Sequence, residues 1–225
     1  MPIDPSTEPA TATSRRTFLA RTAVGGALVT AGAAATPLSG FLTGASAQEG
    51  GDELLTDGEF ASFATPLELS AVQAYSQALS GDLLDADWVV WARQFQRNHQ
   101  SVADLLATLV AEGEPAPRAD VDLSSQATEA ISAAGDQDAI LAALAVVEET
   151  LTATHLSALP VLREQATAGT VARVLAVEGQ QAALLTVASG ASIESVTPAQ
   201  ASTDGALSPG DAGAAAEATT TTAAN

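Results

Sequence analysis

Residues 136–163 read DQDAILAALAVVEETLTATHLSALPVLR. Their leucines recur at steps of three, seven and eight residues, the spacing of one face of an α-helix: Leu141, Leu144, Leu151 and Leu159. Glu148 and His155 fall on that same apolar face. The stretch therefore predicts a helix that carries a carboxylate and an imidazole into the interior of the protein. Pro160 is expected to kink or end its last turns.

The same spacing of apolar residues predicts three further helices. The four long helices span residues 54–79, 85–112, 136–163 and 170–188. Gly81 and Gly113 end the first two, and Gly169 is expected to separate the third from the fourth. The connection over residues 114–135 is longer and holds a short helix near residues 124–132. Short, long and short connections predict an all-α four-helix bundle with one long crossover, between helices two and three.

The composition excludes several classes of function. The 225 residues carry a formal net charge of −19, from 27 acidic residues and 8 basic ones that are all Arg. Such a charge repels nucleic acid and anionic membranes and concentrates cations. The absence of Cys excludes disulfides, thiolate metal sites and Cys nucleophiles. Because no phosphate-binding loop or Ser nucleophile motif is present either, no catalytic residue is assigned, and a protein without enzymatic activity is favoured over an enzyme.

The N-terminal residues 1–47 have the pattern of an export signal. Residues 14–19, SRRTFL, match a twin-arginine motif, and an apolar run over residues 23–42 follows. Ala45-Ser46-Ala47 then provides a small-residue cleavage site. The alternative is a retained membrane anchor, which Pro37 and the many Gly of the run disfavour. We expect an exported protein, secreted or associated with the cell envelope, with no stable membrane span after cleavage.

The rest of the chain is expected to consist of three parts. Residues 48–53 form a short linker, and residues 54–190 hold the four-helix domain. Residues 191–225 are rich in Ala, Thr, Ser and Gly without an apolar period, so the sequence predicts a disordered tail.

Each predicted helix places a polar residue near mid-length on its apolar face. The first helix carries Glu68 and Tyr75, the second carries His99, and the fourth carries Glu178 and Gln181. Tyr75 follows Glu68 by seven residues, the same interval that separates the Glu and the His of the third helix. The chain therefore consists of two related helical hairpins, offset by about 80 residues, and an antiparallel bundle of these hairpins brings the polar groups to one level.

This pattern resembles the ferritin-like superfamily, in particular its exported bacterial members, over roughly residues 54–190. In di-iron members, helices one and three each supply a Glu, and helices two and four each supply a Glu-x-x-His pair. Three Glu positions match: Glu68, Glu148 and Glu178. His99 stands where the first pair has its Glu, while Val102 and Gln181 stand where the two His belong. The resemblance implies a ferritin-like bundle with a degenerate di-iron site that has lost some of its ligands.

The remaining polar residues suit one or two Fe, Mn or Zn ions. The predicted metal ligands are Glu68, His99, Glu148 and Glu178. Three further residues are predicted to support these ligands: Tyr75, His155 and Gln181. Such a protein would serve metal handling or redox protection outside the cytoplasmic membrane.

The alternative is a polar core without metal. Three close carboxylates cannot all stay ionised without a counter-charge. The helical spacing turns Arg97 and Arg173 away from the apolar faces, which leaves a metal, a protonated Glu, or pairing with His99 and His155 as imidazolium. The protein would then be a non-enzymatic helical scaffold or interaction protein of the cell envelope. The sequence leaves the oligomeric state open.

Overall fold

The computed structural model of the chain describes residues 54–196 and 201–209. The predicted signal segment, the linker and the C-terminal end of the tail lie outside the described residues. Five α-helices occur within the described ranges, and no strand does: α1 Asp57–Ser80, α2 Ala86–Ala107, α3 Val121–Ala133, α4 Gln137–Ala158 and α5 Gln165–Ala188. Short 3₁₀ turns follow α4 and α5, at Leu159–Val161 and Ile193–Val196.

The long helices form two hairpins that pack against each other. Helix α1 packs on α2, helix α4 packs on α5, and α1 and α4 contact each other where the hairpins meet. Helix α3 lies in the crossover and packs against α1 and α4. The prediction of an all-α four-helix bundle with a long crossover is therefore confirmed, and the short helix predicted within that crossover is present as α3.

The helices begin where side-chain oxygens cap their first turns. Thr56 and Glu59 form a capping box at the start of α1. Asp85, Asp120 and Asp136 each accept a hydrogen bond from a backbone N–H of the first turn of α2, α3 and α4. Such caps contribute about 1 kcal/mol each to helix stability. The starts of these helices are therefore encoded locally.

Three helix ends differ from the prediction. Helix α2 stops at Ala107 rather than near residue 112, because Thr108 turns back and both its backbone N–H and its hydroxyl donate to the carbonyl of Leu105. Helix α5 begins at Gln165, so Gly169 lies inside it, and the predicted separation at Gly169 is wrong. Helix α4 ends at Ala158 rather than near residue 163, at the break that Pro160 predicts, and its 3₁₀ turn is followed by a short pairing of Leu55 with residues 161–163.

The crossover is attached to α1 close to the centre of the bundle. The carbonyl of Pro66 accepts hydrogen bonds from the backbone N–H of Asp120, at 3.0 Å, and from the hydroxyl of Ser70, at 2.9 Å. That hydroxyl also lies 3.0 Å from the hydroxyl of Ser124 on α3. These contacts fix the part of α1 that carries Glu68.

Helix α4 is the most apolar long helix of the described part. Together with the turn that follows, Gln137–Val161, it is long and apolar enough to cross a membrane by length and composition alone, with a mean hydropathy of 1.4 over 18 residues. More than half of that window, 56%, is buried inside the bundle. Packing in the core accounts for this composition, and helices of this kind are weak evidence for a membrane span.

Part of the predicted tail lies against the bundle. The backbone N–H of Leu207 donates to the hydroxyl of Thr154 on α4 at 3.0 Å, and the Leu207 side chain packs against the main core. Leu207 is the only large aliphatic residue after Val196. Residues 201–209 of the tail predicted to be disordered therefore contact the bundle through Leu207.

Candidate metal centre

The structure brings all seven predicted site residues to the middle of the bundle. They come from four helices and are all buried, with at most 4% of each exposed: Glu68, Tyr75, His99, Glu148, His155, Glu178 and Gln181. Six of them form one continuous chain of contacts, and Gln181 lies beside it, three residues after Glu178 on α5.

His99 bridges two carboxylates from different helices. Its Nδ1 lies 2.8 Å from Oε2 of Glu68, and its Nε2 lies 3.0 Å from Oε1 of Glu148. Burial by itself lowers the pKa of His99, but the charges and hydrogen bonds of Glu148 and Glu68 outweigh burial and raise this pKa well above its ordinary value. His99 therefore carries both ring protons and donates one to each carboxylate.

His155 makes a second bridge of the same kind. Its Nδ1 lies 2.7 Å from Oε2 of Glu178, and its Nε2 lies 3.5 Å from Oε1 of Glu68. Burial lowers the pKa of His155, and the adjacent Glu178 more than reverses that effect, so the pKa is raised. His155 thus supplies a second positive charge in the core.

Glu68 lies between the two imidazoles, and its charge changes near neutral pH. Burial and the charge of Glu178 raise the pKa of Glu68 to about 7, against the opposing influence of His99 and His155. For Glu178, burial raises the pKa, but the adjacent His155 lowers it below the ordinary value. Glu178 is therefore ionised, while Glu68 holds or releases a proton near neutrality.

Tyr75 lies at the opposite end of this series of contacts from Glu178. Its Oη donates to Oε1 of Glu148 at 2.5 Å, and its ring stacks on that of His99 with centroids 5.7 Å apart. Burial, followed by the charge of Glu148, raises the pKa of the phenol well above its ordinary value, so Tyr75 stays a donor. The tyrosine fixes both Glu148 and the plane of the imidazole.

The contacts repeat between the two hairpins. Tyr75 of α1 reaches Glu148 of α4, and His155 of α4 reaches Glu68 of α1. In each pair, the residue that reaches across lies seven positions after the Glu of its own helix, and it contacts the corresponding Glu of the other hairpin. The two pairs are therefore related by an approximate two-fold arrangement. The seven-residue interval in the sequence is the trace of this arrangement.

The imidazoles, not arginines, provide the counter-charge. Within residues 54–196 and 201–209, all ion pairs are the four contacts between an imidazole and a carboxylate described above. The metal-free state therefore combines two of the expected solutions, carboxylates paired with imidazolium and a Glu68 that holds a proton near neutrality. Three oxygens at the centre still lack a hydrogen-bond partner: Oε1 of Glu68, Oε2 of Glu148 and Oε1 of Glu178.

Three side chains converge closely enough to share a cation. One ligand atom from each of Glu68, His155 and Glu178 lies within 4.8 Å of the others, and this is the only such group in the described part of the chain. Carboxylate oxygens and an imidazole nitrogen suit Fe, Mn or Zn, and Oε1 of Glu68 and Oε1 of Glu178 accept no hydrogen bond. The donor set fits a metal.

His155 has a more central position than the sequence predicted. It was expected to support the ligands, but its ring lies between Glu68 and Glu178. Two turns separate His155 from Glu148, about 10 Å along a helix axis. Helical side chains lean toward the N-terminus, so His155 reaches back to the centre. Both ring nitrogens of His99, predicted as a ligand, lie within 3.0 Å of carboxylate oxygens, whereas Nε2 of His155 lies 3.5 Å from Oε1 of Glu68 and only His155 belongs to the converging group.

Comparison with protein families supports the same architecture. A family model described as "Ferritin-like domain" matches residues 56–191, which is more than half of the chain. The chain belongs to the ferritin-like domain family. Neither the curated proteins nor the solved structures gave a match.

A cleft opens on one side of this ferritin-like domain, between α2 and α5. It has a volume of about 350 Å³, and it reaches the polar centre at His99, Glu178 and Gln181. Val102 and Gln181, which stand where the resemblance implies His, both line it. Both polar atoms of the Gln181 amide lack a hydrogen-bond partner although the residue is 4% exposed. The ferritin-like domain thus has an opening beside its candidate metal ligands.

Proposed function

We propose that the chain is an exported ferritin-like protein that binds one Fe, Mn or Zn ion at Glu68, His155 and Glu178, and that it serves metal handling or redox protection outside the cytoplasmic membrane. Support for export comes from the twin-arginine pattern of residues 14–19 and the cleavage pattern of residues 45–47. The observation that carries the metal site is the convergence of three buried ligand atoms within 4.8 Å.

The charges of the site favour a divalent cation. In the metal-free protein, protons on His155 and Glu68 offset the negative charge of the buried carboxylates. A cation with two positive charges can replace these two protons without leaving net charge in the core. In the proposed site, His99 and Tyr75 hold the carboxylates in place: His99 donates to Glu68 and Glu148, and Tyr75 donates to Glu148.

The metal would determine the chemistry. Fe or Mn would supply one-electron redox chemistry, whereas Zn would not. The protein itself would bind the ion, exclude water from a core in which Glu68 and Glu148 are fully buried, and hold protons at His99 and Tyr75. We therefore assign metal handling first and leave catalysis unassigned.

Metal content tests the proposal directly. The mature chain, residues 48–225, would be loaded separately with Fe(II), Mn(II) and Zn(II) and assayed by elemental analysis after desalting. We expect about one ion per chain in the native protein and none in Glu178→Gln. Glu149→Gln is the matched control, because Glu149 is the next residue after Glu148 but bonds to Thr186 outside the cluster. Equal metal content in all three proteins would refute the site.

A helical scaffold without metal is the second candidate. The observation that favours it is the unbroken sequence of alternating imidazoles and carboxylates, which needs no ion to balance its charges. A scaffold would show the same melting temperature in chelator and in each metal. A metal-specific rise would exclude it, because a ligand that binds only the native state must stabilise that state.

A further inference from the structure

The cleft between α2 and α5 is the feature of the domain that the metal site alone does not explain. Its walls come from both helices, and its apolar wall residues are Val102, Val174 and Val177. We propose that this cleft is the route by which the cation enters and leaves, with Gln181 as the first buried oxygen ligand and Arg173 as the charge that controls entry at the rim. The proposal rests on the function proposed above.

The burial of the site residues points to this side of the bundle. Glu68 and Glu148 are completely buried, and His99 and His155 are each 1% exposed. The two members with the largest exposed fractions lie on α5 at the cleft, Glu178 with 3% and Gln181 with 4%. A second recess, between α1 and α3, is lined by none of the site residues.

Gln181 has the chemistry of a transfer ligand. Both polar atoms of its amide are buried without a hydrogen-bond partner, which is unfavourable unless a ligand satisfies them. It lies three residues after Glu178, and therefore on the same face of α5. An amide oxygen is a neutral ligand for hard cations, so it binds more weakly than a carboxylate and can pass the ion on to Glu178.

Arg173 is the only exposed charged side chain that lines the cleft. Its guanidinium donates to the hydroxyl of Thr170 one turn earlier on α5, which holds it on its own helix at the rim. The protein as a whole is strongly acidic, with a net charge of −19, and so attracts cations to its surface. A positive rim opposes that attraction at the entrance and slows entry.

Blocking the cleft tests the route. Co(II) would serve as the probe, with uptake by the mature chain followed by stopped-flow absorbance and release followed after addition of EDTA. Val177→Trp fills the cleft, and we expect uptake and release to slow by tenfold or more while Kd stays unchanged, because a barrier on a route acts equally in both directions. Leu184→Trp is the matched control, on the same helix and 40% exposed where Val177 is 44% exposed, but outside the cleft.

Two further variants keep the test decisive if Val177→Trp fails to fold. Gln181→Leu should slow uptake because it removes the receiving oxygen. Arg173→Gln should speed uptake severalfold at low salt, with the difference lost at high salt. Arg97→Gln is its control, because Arg97 is exposed on α2 outside the cleft and should leave the rate unchanged.

The outcomes separate the two proposals. If the native chain takes up no Co(II), the metal site fails and the route fails with it. If Co(II) binds but Val177→Trp, Gln181→Leu and Arg173→Gln all match the native rates, only the route is overturned. Slower uptake and release in Val177→Trp with an unchanged Kd, and native rates in Leu184→Trp, support it.

Discussion

At the scale of single residues, Glu68 determines how the buried charges respond to pH. It contacts both imidazoles, and burial together with Glu178 raises its pKa to about 7 from an ordinary value of 4.5. The folded state therefore binds a proton more tightly than the unfolded state at this position. The stabilisation is complete below pH 4.5 and is lost as the pH rises through 7. The raised pKa values of His99 and His155 act in the same direction above pH 6.5.

We therefore predict that the metal-free protein loses stability between pH 5 and pH 8. Urea unfolding in chelator should show a midpoint that falls as the pH rises. In Glu68→Gln, folding should no longer take up the one proton that Glu68 binds, because the amide does not titrate. The free energy of unfolding should therefore fall less steeply between pH 5 and pH 7, by roughly 1.4 kcal/mol per pH unit. Surface carboxylates titrate identically in both proteins, so an unchanged slope would show that Glu68 has an ordinary pKa.

Tyr75 gives a second prediction at this scale. Tyr75→Phe keeps the ring that stacks on His99 but removes the donor to Glu148. The loss should be about 1–2 kcal/mol, since the Glu148 oxygen keeps its bond from His99. Urea unfolding at pH 6 measures it. Ser101→Ala removes an exposed hydroxyl that bonds only along its own helix, and should change stability by less than about 0.5 kcal/mol.

At the scale of helices, periodicity predicts what lies on a buried face, whereas helix ends depend on single contacts. The steps of Leu141, Leu144 and Leu151 suffice to predict α4 and the inward position of Glu148, because only one face of that helix can be buried. The break at Pro160 follows from its missing backbone donor, whereas the start of α5 at Gln165, four residues before Gly169, comes after the pairing of residues 161–163 with Leu55, which is distant in the sequence. Single-helix patterns contain no information about such a contact.

The candidate site divides in the same way. The seven-residue intervals identify the inward polar residues, since they place them on the faces that meet. They do not identify which of them touch. That depends on the direction in which each side chain leans, and it is why His155 contacts Glu68 and Glu178 while His99 is held between Glu68 and Glu148.

The segment over residues 201–209 permits a prediction about a single element. Leu207→Ala removes a partly buried side chain from the core and should destabilise the domain by about 1–2 kcal/mol, less than a fully buried leucine would. The protected amide provides a second readout, because hydrogen exchange at Leu207 should accelerate in Thr154→Val, which loses the accepting hydroxyl. Ala201→Ser, at an exposed position of the same segment, should change neither measurement.

At the scale of the whole molecule, the proposed ion joins the two hairpins. Glu68 belongs to the first hairpin, and His155 and Glu178 belong to the second. A metal bound by all three cannot bind an unfolded chain in the same way, so binding must raise the free energy of unfolding of the entire domain. The gain is about 2.7 kcal/mol when the free metal concentration is 100 times Kd.

We predict that this gain depends on pH, because protons and metal compete for Glu68 and His155. Both groups have raised pKa values, so the metal must displace their protons, and its apparent affinity should increase as the pH rises from 6 to 7.5. Thermal unfolding at a fixed Zn(II) concentration should therefore show a larger rise in Tm over the chelator control at pH 7.5 than at pH 6. Glu178→Gln should show no rise at either pH, and Glu149→Gln should follow the native protein. A rise that is independent of pH, or equal in Glu178→Gln, would mean that zinc binds elsewhere on the acidic surface and not between the hairpins.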